Sequence, residues 1–200
     1  MRKIFISEEI KKLIGYEVGS RLHEEWRESR NVDEQTRLGR EPRWKKTKDQ
    51  MFIAQAKESE VVRIGEVVEV DIANMTFTEL PEDWQKENLE AGLAATRLTM
   101  GTLSKEGSIS LEEIISLSVE EVEKLGDGVH EAWMQRTEKA DWNAEQFVPY
   151  SELPRSEQEK DLLHVRMVVS VIKEVLTGEI TLEELRAKYG EMIKTKQEQH

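Results

Sequence analysis

Apolar residues recur at helical spacing near the start of the chain. Ile10, Leu13, Ile14, Val18, Leu22 and Trp26 fall on one face. Ser7 stands where an N-cap is wanted, so the pattern predicts a helix over 8–30. Gly15 and Gly19 each weaken its middle by about 1 kcal/mol relative to alanine. They mark a bend or a close helix contact. Asn31 to Glu41 is a polar connection. The period then changes. Val61-Val62-Arg63-Ile64 and Val67-Val68-Glu69-Val70 flank Gly65-Glu66, which predicts a hairpin. Arg43 to Lys48 either pairs with that hairpin or forms a loop. Pro81 opens a second long helix, where its missing N–H is not needed, and the helix ends before Gly101. Ser110 and Ser118 each begin a capping box, and the second starts a long helix carrying His130 and Trp133. Trp142 to Phe147 reads as a loop. Pro154 opens a helix to Leu176 with a rich apolar face that includes Leu162, Val165, Val168 and Ile172. Gly178 ends it, Thr181 caps a last helix to about Thr195, and the tail Lys196 to His200 is expected to fray.

Within this pattern one sequence occurs twice. His23-Glu24-Glu25-Trp26 is followed by Phe77-Thr78-Glu79-Leu80-Pro81. His130-Glu131-Ala132-Trp133 is followed by Tyr150-Ser151-Glu152-Leu153-Pro154. The turns match at an offset of 73, continuing through Gln85/Gln158 and Leu89/Leu162, and the histidine motifs match at 107. The difference of 34 measures an insertion in the first copy. Self-similarity of this kind fixes architecture ahead of local propensity. The chain therefore reads as two copies of one helical unit, residues 1–104 and 105–200, with an insertion at 42–75. Each copy alone is marginal in size, so the two are expected to pack on each other.

Composition narrows the picture. Apolar residues make up 38% and charged residues 35%, enough for a helical core under a heavily solvated surface. Without cysteine there is no disulfide, thiolate site or cysteine nucleophile, and a reducing, cytoplasmic setting is the expectation. No apolar run reaches the roughly 18 residues of a membrane span. The net charge of −12 is uneven: −3 over residues 1–100 and −9 over 101–200. That field opposes nucleic acid. Only Arg37 to Lys48, with six basic residues and one acid, would welcome an anion.

The motifs of the second copy resemble the ryanodine-receptor repeat. That repeat reads approximately as His-x-x-Trp, Gly-Trp, a variable loop, Val-Pro-Tyr, x-x-Leu and a Glu-Lys-x-x-Asp-like helix start. Here His130-Glu131-x-Trp133, Trp142, Val148-Pro149-Tyr150, Leu153-Pro154 and Glu159-Lys160 are similar to it over Val122 to about Val175. Ala140-Asp141-Trp142 lacks the family's glycine, and the loop to Val148 is short. Val18 to about Leu98 resembles a divergent second copy. The resemblance implies a mainly α fold of two pseudo-symmetric repeats with a small β-hairpin arm in the first. It also implies a binding or packing module, of a kind found in the calcium-release channel and in bacterial and phage proteins, and not a channel.

Candidate chemistry is sparse. Histidine serves as base or metal ligand. His23 and His130 instead lie three residues before tryptophan on one helical face, and no His-x-x-x-His spacing occurs, so packing against the turn is the expected role. Trp26, Trp84 and Trp133 are expected core anchors, and Phe77, Pro81, Trp142, Tyr150 and Pro154 complete the repeat motif. Trp44 differs: flanked by Arg43 and Lys45, it offers a stacking platform. Arg40, Arg43, Trp44, Lys45, Lys46 and Asn74 are therefore the candidate site for a small anionic or nucleotide-like ligand. Gly39 stands alone, so no phosphate loop supports them. No Gly-x-Ser-x-Gly, His-Glu-x-x-His or cysteine pair is present, and paired acids such as Glu82-Asp83 sit where helix starts want charge. The expected function is non-enzymatic binding of that ligand or of a protein segment, without cofactor or metal. The alternative is a structural or assembly protein of phage or bacterial origin.

Overall fold

The protein is described here by a computed structural model covering residues 3–31, 39–58 and 61–195. Arg37, part of the basic segment, and the tail Lys196 to His200 lie outside the described residues. The architecture is mainly α with small antiparallel sheets. In chain order the elements are β1 (Lys3–Phe5), α1 (Glu8–Glu28), β2 (Trp44–Thr47), α2 (Gln50–Gln55), β3 (Val61–Ile64) and β4 (Val67–Asp71). There follow α3 (Glu82–Leu103), β5 (Ser108–Ser110), α4 (Leu111–Ile115), α5 (Val119–Arg136), α6 (Arg155–Thr177) and α7 (Leu182–Thr195). Two compact units result, Met1–Gly19 with Glu90–His200, and Ser20–Leu89, so the boundaries fall inside α1 and α3. Among the described residues no helix is long and apolar enough to cross a membrane.

In the first unit, β1 pairs antiparallel with β5 and sets Ile4 opposite Ile109, both buried. The helix starts follow the caps read from the sequence. Ser7 Oγ accepts the Ile10 N–H, and Ser110 and Ser118 share reciprocal bonds with Glu113 and Glu121. Gly178, at φ 85°, closes α6. Gly15 and Gly19 mark a close crossing. A Cβ on Gly92 of α3 would strike the Gly15 carbonyl and the Gly19 backbone, and a Cβ on Gly15 would lie 2.7 Å from Leu93 Cα. Glycine here lets two backbones touch. The helix does not stop at Gly101 as the sequence suggested, but runs to Leu103. Open space surrounds that residue, and one exposed glycine costs a helix only about 1 kcal/mol. α5 packs on α6, with Gly126 beneath Leu162 and Tyr150. Buried Glu17 accepts the Tyr189 hydroxyl and the Lys188 ammonium, each at 2.8 Å, and so fastens α7 to α1.

In the second unit the insertion forms a three-stranded sheet of order β2-β4-β3. The predicted hairpin is β3–β4, and Trp44–Thr47 pairs along its other side. Pleating sorts the side chains. Thr47, Val61, Val68 and Val70 are buried on one face, while Trp44, Val62 and Ile64 are exposed on the other. The short helix α2 was not foreseen. Its cap Asp49 accepts the Phe52 N–H with one oxygen and the Glu82 N–H, at the start of α3, with the other. Asp83 in return accepts from the Thr47 hydroxyl and the Lys48 N–H, and the Trp84 indole donates to the Lys46 carbonyl at 2.9 Å. This reciprocal stitching holds the arm to α3.

Candidate functional site

Each copy carries the same local frame. His23 Nε2 donates to the Met75 carbonyl and His130 Nε2 to the Val148 carbonyl, both at 2.9 Å and both two residues before the turn aromatic. The acceptor is a carbonyl, so the tautomer is fixed with hydrogen on Nε2. Each imidazole sits 5.7 Å from the tryptophan three residues on. The 3-10 turns Phe77–Glu79 and Tyr150–Glu152 occupy matching positions, with Phe77, Leu80, Tyr150 and Leu153 buried. Gln85 and Gln158 return from the following helices to turn carbonyls, Leu80 and Tyr150 respectively. Pro81 and Pro154 start α3 and α6. These residues hold two turns in one shape.

The copies part company at the remaining imidazole nitrogen. His130, 3% exposed, turns Nδ1 toward Asp161 Oδ2 at 3.3 Å. With Nε2–H committed to Val148, this approach needs one proton between the pair, since otherwise two lone pairs face each other. Burial raises Asp161 to about 6, against the pull of His130. In the first copy the matching position is Asn88, whose amide donates to the Trp84 carbonyl, and burial lowers His23.

Around His130 and Asp161 a pocket of about 250 Å³ opens. Trp133 and Leu153 supply apolar wall, and Gln146, Glu157, Lys160 and His164 supply polar wall. Glu157 is bonded at both oxygens, to Lys160 at 2.6 Å and to Gln146 at 2.9 Å, and the lysine holds it below its ordinary range. His164 donates Nδ1–H to the Lys160 carbonyl, which leaves Nε2 as an acceptor, and burial lowers its pKa. The first copy has Trp84, Glu87, Asn88 and Ala91 where the second has Glu157, Lys160, Asp161 and His164. The frame is thus common to both copies and the polar lining belongs to one.

The sequence singled out other residues, and the structure distributes them. Arg40 is held through its backbone, donating N–H to Asn74 Oδ1 and accepting from Asn74 Nδ2, so Asn74 is a clamp on the chain. Arg43 is held likewise by Asp71 and is exposed. Trp44, 39% exposed, shares its sheet face with Lys46, which lies opposite Glu69. Lys45 points to the other face and rests 5.8 Å from the Trp84 ring, where burial lowers its pKa. Lys45 and Lys46 therefore stand on opposite faces of the sheet. Trp26, Trp84 and Trp133 are half-buried and not core anchors: Trp26 stacks beneath Arg30, Trp84 pins the arm and Trp133 walls the pocket. Trp142 lies in a 3-10 segment, Asp141–Gln146, where a loop was expected; its side chain lies outside the described residues. Asn143 builds that segment, since its buried amide donates to the Glu138 carbonyl and accepts the Ala140 N–H. Asp161 and His164 escaped the sequence reading. Their signal is a polar stripe, Glu157-Lys160-Asp161-His164, at helical spacing along one side of that helix. Among the described residues no three acidic or imidazole groups are placed to hold a metal ion. Set beside protein-family models, curated proteins and solved structures, the chain matches none.

Proposed function

We propose that the chain is a non-enzymatic binding module of the kind its resemblance to tandem ryanodine-receptor repeats implies, acting in the cytoplasm, and that the pocket beside His130 in the second copy is its ligand site. One observation carries this reading. Two copies keep the same histidine–carbonyl bond and the same turn, yet only one lines the adjoining hollow with four titratable side chains. A frame needs no such lining. The volume, about 250 Å³, falls just under the ~300–1,000 Å³ of drug-sized sites, so the occupant is a small molecule or a single side chain of a protein segment. The arm remains a separate candidate for an anion, but Lys45 and Lys46 stand on opposite faces of its sheet.

Mass spectrometry of small molecules and peptides retained by the purified protein tests the reading. The parent and Trp44→Ala are expected to retain the same species, and Trp133→Ala to lose it. Trp133 is half-buried, so its removal is expected to cost less than the ~3–5 kcal/mol of a fully buried aromatic and to leave a folded chain. A species kept by Trp133→Ala and lost from Trp44→Ala would move the site to the arm. The second reading, a structural or assembly protein, is favoured by the exposed Trp44, Val62 and Ile64 on one face of the arm's sheet. An empty parent would favour it further.

A further inference from the structure

The depth at which charges sit in the pocket is uneven. The Asp161 side chain is 15% exposed and that of Glu157 27%, while the Lys160 side chain, 65% exposed, lies further out. The inner wall is therefore acidic and the cation stands at the rim. Hydrogen-bonding capacity is uneven too. Asp161 spends Oδ2 on His130, and among the described residues Oδ1 has no protein partner. His164 has committed Nδ1–H and offers Nε2, and Gln146 gives its amide nitrogen to Glu157 and keeps Oε1. Three acceptors thus stand around a hollow bounded by the Trp133 indole. An anion entering it would meet the oxygens of Asp161 and Glu157, with the Lys160 ammonium only at the rim. A planar cation rich in N–H groups would meet acceptors at its edge and a π-face beside it.

We propose that this pocket takes a guanidinium group, either the side chain of an arginine or a free alkylguanidine, with its N–H groups directed at Asp161 Oδ1 and His164 Nε2 and its plane against Trp133. The proposal rests on the ligand-site reading above and names the chemistry of the occupant. Guanidinium suits the site better than ammonium because it is flat, weakly hydrated and stacks on aromatic rings. The pocket, about 250 Å³, has room for such a group. A cation at Oδ1 would also favour the ionised form of the Asp161 carboxyl, against the burial that raises it.

The test compares probes that differ only in charge. N-acetyl-arginine amide and methylguanidinium are titrated against N-acetyl-citrulline amide and methylurea, with binding read by calorimetry and indole fluorescence. The guanidinium probes are expected to bind and the urea probes not. Asp161→Asn is expected to weaken the guanidinium probes about tenfold or more, the effect of losing a charge-assisted bond. That variant is expected to fold, because the first copy holds Asn88 at the same place in the same frame. If only the blocked arginine binds, the natural source is a peptide side chain. If methylguanidinium binds as well, a free guanidine suffices, and both results support the assignment. Equal binding of arginine and citrulline probes overturns it while leaving a neutral ligand site standing. Silence from all four probes also overturns it, and the retained-species experiment then decides the ligand site by itself.

Discussion

Two histidines with one sequence context perform one shared task and one private task. The shared task is the Nε2–H bond to a carbonyl ahead of the turn, found at His23 and His130 alike. It was legible in the sequence, because the 73- and 107-residue offsets required equivalent places for both rings. The private task was not legible. It depends on Asp161, which reaches His130 only once α5 and α6 pack together. Asp161 also carries a consequence for stability. Its pKa in the folded chain is raised from 3.8 to about 6 by burial, so the folded state holds the proton more firmly than the unfolded one. That contribution is fully present below about 3.8 and is lost as pH rises through about 6. His130, Glu157, Lys160 and His164 surround the carboxyl and are common to parent and variant. Thermal melts of the parent and Asp161→Asn are therefore expected to differ most above about pH 7, with the variant relatively more stable, and to converge as pH falls through the window. A gap that stays constant across it would remove the buried proton from the account.

At the level of elements, the sequence spoke clearly wherever the signal was local. The capping boxes at Ser110 and Ser118, the left-handed Gly178 and the Thr181 cap each act within a few residues, and each boundary lies where it was read. Signals from distant partners were lost. The three-residue strands β1 and β5 are too short to announce themselves, and α2 exists because Asp49 caps it while also serving α3. The glycines show both outcomes. In the sequence Gly15 and Gly19 suggest a bend or a close contact, and the contact with Gly92 is what they serve; Gly101 suggests a stop and is an ordinary helical residue. The contrast gives a paired prediction. Gly92→Ala drives a methyl into fixed backbone and is expected to cost more than about 3 kcal/mol. Gly101→Ala meets nothing and is expected to add about 0.5–1 kcal/mol. Urea titration of both variants checks it, and similar midpoints would show that the crossing yields easily.

For the whole molecule, charge sets the background. A net of −12, of which −9 lies in residues 101–200, burdens the folded state with self-repulsion. Added sodium chloride up to about 0.5 M is therefore expected to raise the melting temperature; a fall would mean that ion pairs such as Arg155–Glu123 at 2.7 Å outweigh the repulsion. This background, the repeated motifs and the 34-residue difference in their spacing are legible in the sequence; its candidate site falls in the arm, because exposed cations around Trp44 are conspicuous in a linear string and a helix-face stripe is not. One position ties these levels together. Trp84 and Glu157 are counterparts across the 73-residue offset, and the first clips the arm to α3 while the second helps wall the pocket. No side chain fills both posts. The two uses exclude each other: the copy with the longer connection spends this position on clipping the arm, and the copy with the short one spends it on the pocket wall. Anyone wishing to engineer a second pocket into this scaffold must begin by excising the arm, because its clasp occupies the ground on which that pocket would be built.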